Sequence, residues 1–203
     1  MQRIVIATRN PHKTREIAAI LGPEFETSDL TAVENVPVVE ETGVTFEENA
    51  ILKAVAVSRF FDCVVLSDDS GLEVDVLGGA PGVYSARYAG VAATDAENLR
   101  KLIEEMKRVA VPDVAEKAHF RCVIAAAASG NLIATFHGAV EGRITNEPRG
   151  EGGFGYDPVF IPAGYDRTFA ELPASLKNSL SHRAQAIEKM HEFLTASRER
   201  FPD

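Results

Sequence analysis

Residues 67–71 read Ser-Asp-Asp-Ser-Gly directly after the apolar run Cys63 to Leu66. Two carboxylates at the end of a buried strand are costly unless something satisfies them. Side chains alternate along a strand, so Asp68 and Asp69 should point opposite ways, and only one of them can face a given cleft. A carboxylate at such a strand end is a common oxygen ligand for a hard cation such as magnesium. The same two aspartates can instead cap local amides in a turn, and the residues alone leave the two readings level. A second acidic pair, Glu40-Glu41, lies in a loop with Pro37. It reads as a solvated charge pair unless that loop folds toward Asp69.

Three other stretches are rich in donors. Thr8-Arg9-Asn10-Pro11-His12-Lys13 fills the gap between an apolar strand and a helix. A helix start offers unpaired N–H groups and a partial positive charge, which suits phosphate, and Lys13 adds a full charge. The stretch lacks the glycine pattern of a P-loop. Its plainer reading is a capped turn with a solvated lysine. Residues 152–160, GGFGYDPVF, combine three glycines, two aromatics and Asp157. Glycine lets backbone approach a flat ligand closely. Either Phe154 or Tyr156 can stack on a base, a contact worth ~1–3 kcal/mol. The alternative is a tight turn that buries both rings. Finally, Lys177, His182 and Arg183 cluster near a helix start in KNSLSHRAQA, otherwise a solvated basic turn. Together these features are what a nucleoside triphosphate needs: cations and helix ends for phosphate, carboxylates for a metal, a ring and donors for the base.

The elements that must position them follow from periodicity and punctuation. Arg3 to Ala7 reads as a short buried strand, Thr14 to Leu21 as a helix stopped by Gly22-Pro23, and Phe25 to Leu30 as a second strand. Thr45 and Glu48 stand at capping-box spacing before a helix that should end near Phe61-Asp62. Cys63 to Leu66 is expected to be a strand interrupted by Ser67 to Gly71, with Leu72 to Leu77 resuming it. Gly78 to Gly90 and Glu147 to Pro162 read as glycine-rich loops. Thr94 to Val109 is a third helix, with Glu97 at the box position. His119 to Ala128 and Leu132 to Ile144 form a hairpin about Ser129-Gly130-Asn131. Ser181 to Arg200 is the last helix. Helices alternating with strands, then a long hairpin, indicate one α/β domain over residues 1–203: a mixed, elongated central sheet flanked by helices, in two lobes around a substrate cleft.

The chain has 203 residues, 45% hydrophobic and 25% charged, with a net charge of -9. That composition supports a full core. The acidic balance argues against a nucleic-acid partner, since duplex-binding surfaces are basic. Two cysteines, Cys63 and Cys122, each sit in an apolar run and read as buried thiols in a reducing compartment. Met-Gln-Arg leads straight into a strand rather than a signal segment, and no apolar run is long enough to span a bilayer. The expectation is a cytoplasmic protein with no membrane partner.

Several long motifs occur in order: TRNPHK, EETG, FEENAILKA, LSDDSGLEVDVLGGAPGVYSARYAG, GFGYDPVF, TFAEL and LSHRAQA. Through them nearly the whole chain resembles the inosine triphosphate pyrophosphatase family, which acts on noncanonical purine nucleotides. The resemblance implies a two-lobed α/β fold, a homodimer, and Mg2+-dependent hydrolysis of ITP, dITP and XTP to the monophosphate and pyrophosphate. Carried over by position, it implies that Thr8, Arg9, Asn10, Pro11, His12 and Lys13 bind the triphosphate. It implies Glu40 and Asp69 as the metal site, Asp69 as the catalytic base, and Ser70, Phe154, Gly155, Tyr156, Asp157, Lys177, His182 and Arg183 as substrate contacts. Lys53 is a weaker carry-over, to phosphate. Lys177, Arg183 and His182 would then donate to the 6-oxo group of hypoxanthine or xanthine and reject adenine, which presents a donor there. Alternatives from other classes are a pyrophosphatase for pyrimidine or otherwise modified nucleotides, and a nucleotide-binding module without turnover.

Overall fold

A computed structural model describes residues 2–109 and 116–196. The strands are β1 (Gln2–Ile6), β2 (Phe25–Asp29), β3 (Val64–Val74), β4 (Glu116–Ala128), β5 (Asn131–Ile144) and β6 (Phe160–Pro162). The helices are α1 (Pro11–Leu21), α2 (Phe46–Val57), α3 (Asp95–Val109), α4 (Ala174–Leu180) and α5 (His182–Ala196). The six strands form one sheet in the order β2-β1-β3-β4-β5-β6. β1 pairs in parallel with both β2 and β3, while β5 and β6 are antiparallel, so the sheet is mixed as expected. Two compact units are distinguished. The first comprises Met1–Asp69, Cys122–Gly138 and His182–Asp203, and the second Ser70–Arg121 and Ala139–Ser181.

In the first unit the period-2 alternation of the strands sorts side chains into two layers. Ile4 and Ile6 of β1 and Val64 and Leu66 of β3 pack with Ile17 and Leu21 of α1 and Ile187, Met190 and Leu194 of α5. Val5, Ala7 and Val65, of opposite parity, pack instead with Val57 of α2 and with Leu30 and Val36. Helices therefore cover both faces, as the near-continuous apolar runs of β1 and β3 require. The second unit has its own core, in which Leu72 and Val74 meet Leu102 and Met106 of α3. Phe120, Phe160 and Phe169 cluster there, with ring centroids 4.6 Å apart for Phe120–Phe160 and 5.2 Å for Phe160–Phe169.

Several expectations are corrected. β3 runs unbroken through Ser67 to Gly71, because both aspartates find partners and no turn is needed to satisfy them. α1 begins at Pro11, three residues earlier than its apolar periodicity suggests, since Asn10 is the N-cap and proline suits the first helical turn. Phe160 to Pro162 is a strand rather than loop, and Gly78 to Gly90 contains a 3₁₀ stretch over Gly82–Arg87. The last helix is preceded by a separate short one, α4. Residues 197–200 of the helix expected to reach Arg200 lie outside the described residues. Cys63 is only half-buried; Cys122 is buried, and both are free thiols. Local signals held elsewhere. The Thr94–Glu97 capping box closes both ways, at 3.3 and 2.7 Å. Ser129 and Gly130, with φ of 50° and 80°, make the two-residue turn between β4 and β5.

One close approach fixes β5 against α5. A Cβ added to Gly138 would lie 1.9 Å from the carbonyl oxygen of His182 and 2.8 Å from the amide nitrogen of Ala186. Backbone cannot yield there as a side-chain tip can. Gly138→Ala is expected to lower stability by about 2–3 kcal/mol, read as a lower urea midpoint at unchanged slope. A midpoint equal to wild type would show that α5 does not rest on this strand.

Candidate active site

Strand parity decides what each aspartate of β3 meets. Asp68 shares the parity of Val64 and Leu66 and turns to the α1/α5 layer. Its side chain is 0% exposed. Lys13 of α1 donates to Oδ1 and Arg183 of α5 donates through Nε to Oδ2 at 2.8 Å. The Cys122 thiol also donates to Oδ2, at 3.2 Å. Arg183, 2% exposed, gives its Nη1 to Glu16, one helical turn from Lys13 on α1. Burial alone would raise the Asp68 pKa, but Arg183 and Lys13 outweigh it and hold the carboxyl well below the usual range. The same burial, with Asp68 beside it, pushes the Cys122 thiol well up, so it stays a neutral donor.

Asp69 shares the parity of Val65 and turns to the α2 layer. Lys53 of α2 is the cation there: its Nζ lies 3.5 Å from Asp69 Oδ1, 2.8 Å from Glu41 Oε1 and 2.8 Å from the carbonyl oxygen of Asp68. The other oxygen, Asp69 Oδ2, is buried with no hydrogen-bond partner. Burial raises the Asp69 pKa more than Lys53 and Lys13 lower it. Burial disfavours charge on Lys53 as well, but Asp69 and Glu41 hold its pKa above the ordinary value. Adjacent carboxylates are thus driven in opposite directions, the pattern expected where one is structural and the other reactive.

The loop carrying Glu41 is fixed by α2. Gly43 N–H donates to Asn49 Oδ1 at 2.8 Å, Val44 N–H donates to Glu48 at 2.7 Å, and Glu48 N–H donates to the N-cap Thr45 at 3.1 Å. Glu41, rather than Glu40, shares Lys53 with Asp69. Glu40 itself is exposed.

Residues 8–13 form the entry to α1. Asn10 Oδ1 accepts from the N–H groups of His12 and Lys13 at 2.9 and 3.4 Å, and Asn10 N–H donates to Thr8 Oγ1 at 3.1 Å. Pro11 has no N–H. The helix start is therefore capped by its own chain, and the free amides expected for phosphate are largely satisfied. What the stretch still offers is side-chain charge. Arg9 and His12 are exposed; Arg9 Nη2 donates to the Val36 carbonyl at 2.8 Å, and His12 meets Arg15 at 2.9 Å. Ser70 follows Asp69 on β3 and is half-buried.

The second unit holds the aromatic loop. Tyr156 is 5% exposed and its hydroxyl donates to the Ser85 carbonyl at 2.9 Å, so its ring belongs to the core. Phe154 is half-buried, with Lys177 Nζ 5.0 Å from its ring centroid. Of the two candidate stacking rings, only Phe154 keeps a partly open face. Lys177 is itself buried, and donates to Asp157 Oδ2 at 2.5 Å. The same oxygen accepts from Phe154 N–H at 2.8 Å. Gly153 has φ +72°, and a Cβ on it would lie 2.1 Å from that oxygen. Gly155 N–H donates to Asp95 at 2.8 Å.

Arg183, expected to contact substrate, donates its guanidinium to Asp68 and Glu16. His182, also buried, lies in the first unit at the start of α5. Sequence reading missed Glu16, Asn49 and Cys122 as members of this arrangement, and named Glu41 only as one of the pair Glu40-Glu41. Glu16 had a signal, its helical spacing from Lys13. Cys122 had none without the register of β4.

The Ham1 family profile matches residues 4–193. The chain belongs to the Ham1 family. Among Ham1-family relatives it is 48% identical over 195 residues to the dITP/XTP pyrophosphatase of Bacillus licheniformis, covering 96% of this chain and 98% of that one. It is 47% identical over 197 residues to the dITP/XTP pyrophosphatase of Bacillus subtilis, covering 97% and 98%. The solved structure of a HAM1 protein from Coxiella burnetii aligns at a TM-score of 0.84 and 42% identity, over 97% of this chain and all (100%) of that one. The resemblance carried by the motifs and the mixed α/β architecture are thus both borne out. Among the described residues no helix is long and apolar enough to cross a membrane.

The buried pair allows a direct test of the structural assignment. Removing one partner of a buried ion pair typically costs about 3–5 kcal/mol, because the other is left charged and dry. Arg183→Met should therefore approach that loss in urea unfolding. Lys13→Met should cost less, since its ammonium end is partly exposed and Arg183 still holds Asp68. The reverse order would contradict Arg183 as the principal partner of Asp68.

Proposed function

We propose that this protein hydrolyses noncanonical purine nucleoside triphosphates, dITP, ITP and XTP, to the nucleoside monophosphate and pyrophosphate, with Asp69 as the base and Mg2+ as cofactor. The observation that carries the reading is Asp69 Oδ2, a buried carboxylate oxygen with no hydrogen-bond partner, beside an ion-paired neighbour. An orphaned oxygen of this kind asks for a cation or a water. The donor set fits magnesium, which is commonly bound by one or two carboxylates and completed by substrate phosphates and water. Asp69 and Glu41 would hold it, with Glu40 adjacent in the same loop. Among the described residues no group of three or more His, Cys, Asp or Glu could hold a metal ion. When bound, the ion would supply charge neutralisation on the phosphates and a lowered pKa for bound water.

The chain's own residues divide the remaining tasks. A water oxygen attacks the α-phosphorus, the bond from that phosphorus to the bridging oxygen breaks, and pyrophosphate leaves. Asp69 orients the water and takes its proton. Lys13, Lys53 and Arg9 supply positive charge. Phe154 offers a stacking face for a purine, with Lys177 beside it as donor to a 6-oxo group. Adenine presents an amino donor at that position in place of an acceptor oxygen, which supports discrimination against ATP. Names of relatives 47–48% identical over nearly the whole chain support the same substrate class. The protein is taken to work as a cytoplasmic homodimer, with the nucleotide as its partner rather than nucleic acid or membrane.

Pyrophosphate release from a panel of ITP, dITP, XTP, ATP, GTP and pyrimidine triphosphates, with Mg2+ and with EDTA, tests this. Release from the 6-oxo purines ITP, dITP and XTP, abolished by EDTA, is expected. Asp69→Asn should lower it by about 10²–10⁴-fold. Comparable rates on pyrimidine nucleotides would replace the substrate class, and near-normal turnover by Asp69→Asn would remove the assigned base.

A further inference from the structure

Lys53 has the ligand shell of a metal ion. Its ammonium is surrounded by three oxygens, a carboxylate of Glu41, the Asp68 carbonyl and a carboxylate of Asp69, at 2.8, 2.8 and 3.5 Å. Carboxylates and a backbone carbonyl are the donors a hard dication selects. The shell is also built: Lys53 and Asp69 side chains are 13% and 8% exposed, and Glu41 is held by a loop that Asn49 and Glu48 fasten to α2. A magnesium ion bonds oxygen at about 2.1 Å. Asp69 Oδ2 is open to such an ion, but Glu41 Oε1 and the Asp68 carbonyl oxygen cannot serve it while the ammonium is seated between them. An ammonium beside two metal-binding carboxylates also opposes the ion electrostatically.

We propose that Lys53 is a placeholder cation: it neutralises Glu41 and Asp69 in the metal-free protein, and a divalent ion must displace it to bind. The displaced ammonium, on the same α2 scaffold, then becomes available to an anionic phosphate. This assigns Lys53 a task in metal loading that precedes contact with substrate. It rests on the reading of Asp69 and Glu41 as metal ligands made above.

The test uses the intact chain without nucleotide, and Mn2+ as the probe, followed by electron paramagnetic resonance. Lys53→Met should bind Mn2+ roughly tenfold or more tightly than wild type, since one opposing charge is gone. Glu41→Gln should bind more weakly. Equal or weaker binding by Lys53→Met overturns the placeholder role. Failure of both wild type and Lys53→Met to bind Mn2+ at any concentration, with or without a nucleoside triphosphate, overturns the metal reading itself, so the two outcomes are separable. Should Lys53→Met not fold, wild type still decides the matter. Amine labelling of Lys53, read by mass spectrometry, should accelerate when Mn2+ is added, and unchanged or slower labelling refutes displacement.

Discussion

The carboxylate of Asp68 is removed from water and held by two cations, and the first unit is arranged around that fact. A lone buried carboxylate would cost many kcal/mol or take up a proton. Here α1 brings Lys13 and α5 brings Arg183, while Cys122 of β4 adds a neutral donor. Glu16 then balances the second half of Arg183. The ion pair links segments 115 residues apart in sequence. It fixes the first turns of both helices, beyond the apolar contacts they share with many other α/β layers. Replacing the network by hydrophobes of equal volume need not destabilise the fold. What it supplies is registry: the ends of α1 and α5 are set relative to the residue that precedes Asp69.

That registry turns a strand's simplest property into chemistry. Successive side chains on β3 are handed to different layers. Asp68 meets strong cations and is locked as an anion. Asp69, one residue on, meets a single lysine shared with Glu41, and keeps one oxygen unsatisfied. The same local sequence, two adjacent acids, therefore yields one carboxylate held by two cations and one with an open oxygen, both within a continuous strand. An interruption of the strand at these residues, as composition alone suggests, would have lost that distinction, because a turn does not present consecutive side chains to opposite faces.

Legibility in the sequence followed how local each signal is. The Thr94–Glu97 box, the stop at Gly22 and the turn at Ser129-Gly130 depend on a few neighbouring residues, and all are found. The opposite facing of Asp68 and Asp69 was readable because parity is local too. Their partners were not, because which helix covers which face depends on strand order. Hence Lys13 and Arg183 as partners of Asp68, and Glu41 as the acid that shares Lys53 with Asp69, emerge only from the structure. Phe154 and Tyr156 look equivalent in sequence. Only the long-range bond from Tyr156 to Ser85 shows that one ring is core and the other partly open.

Charge within the Asp68–Asp69 cluster sets a further constraint. Lys13, Lys53 and Arg183 bring three positive charges, and Glu16, Glu41, Asp68 and Asp69 bring four negative ones, a formal balance of -1. The whole chain is acidic as well, at -9. A cluster so balanced has little attraction for a polyphosphate, even though it contains three cations, because each is already paired with a carboxylate. Adding one dication brings the cluster to +1. It also relieves Lys53 of Glu41 and Asp69, the two acids that the ion would take over. A single binding event would thus reverse the local sign and free a lysine together. On this reasoning the tight pairing of the lysines in the resting protein does not argue against a phosphate site. It explains why such a site, in an acidic protein, would respond to metal before it responds to nucleotide.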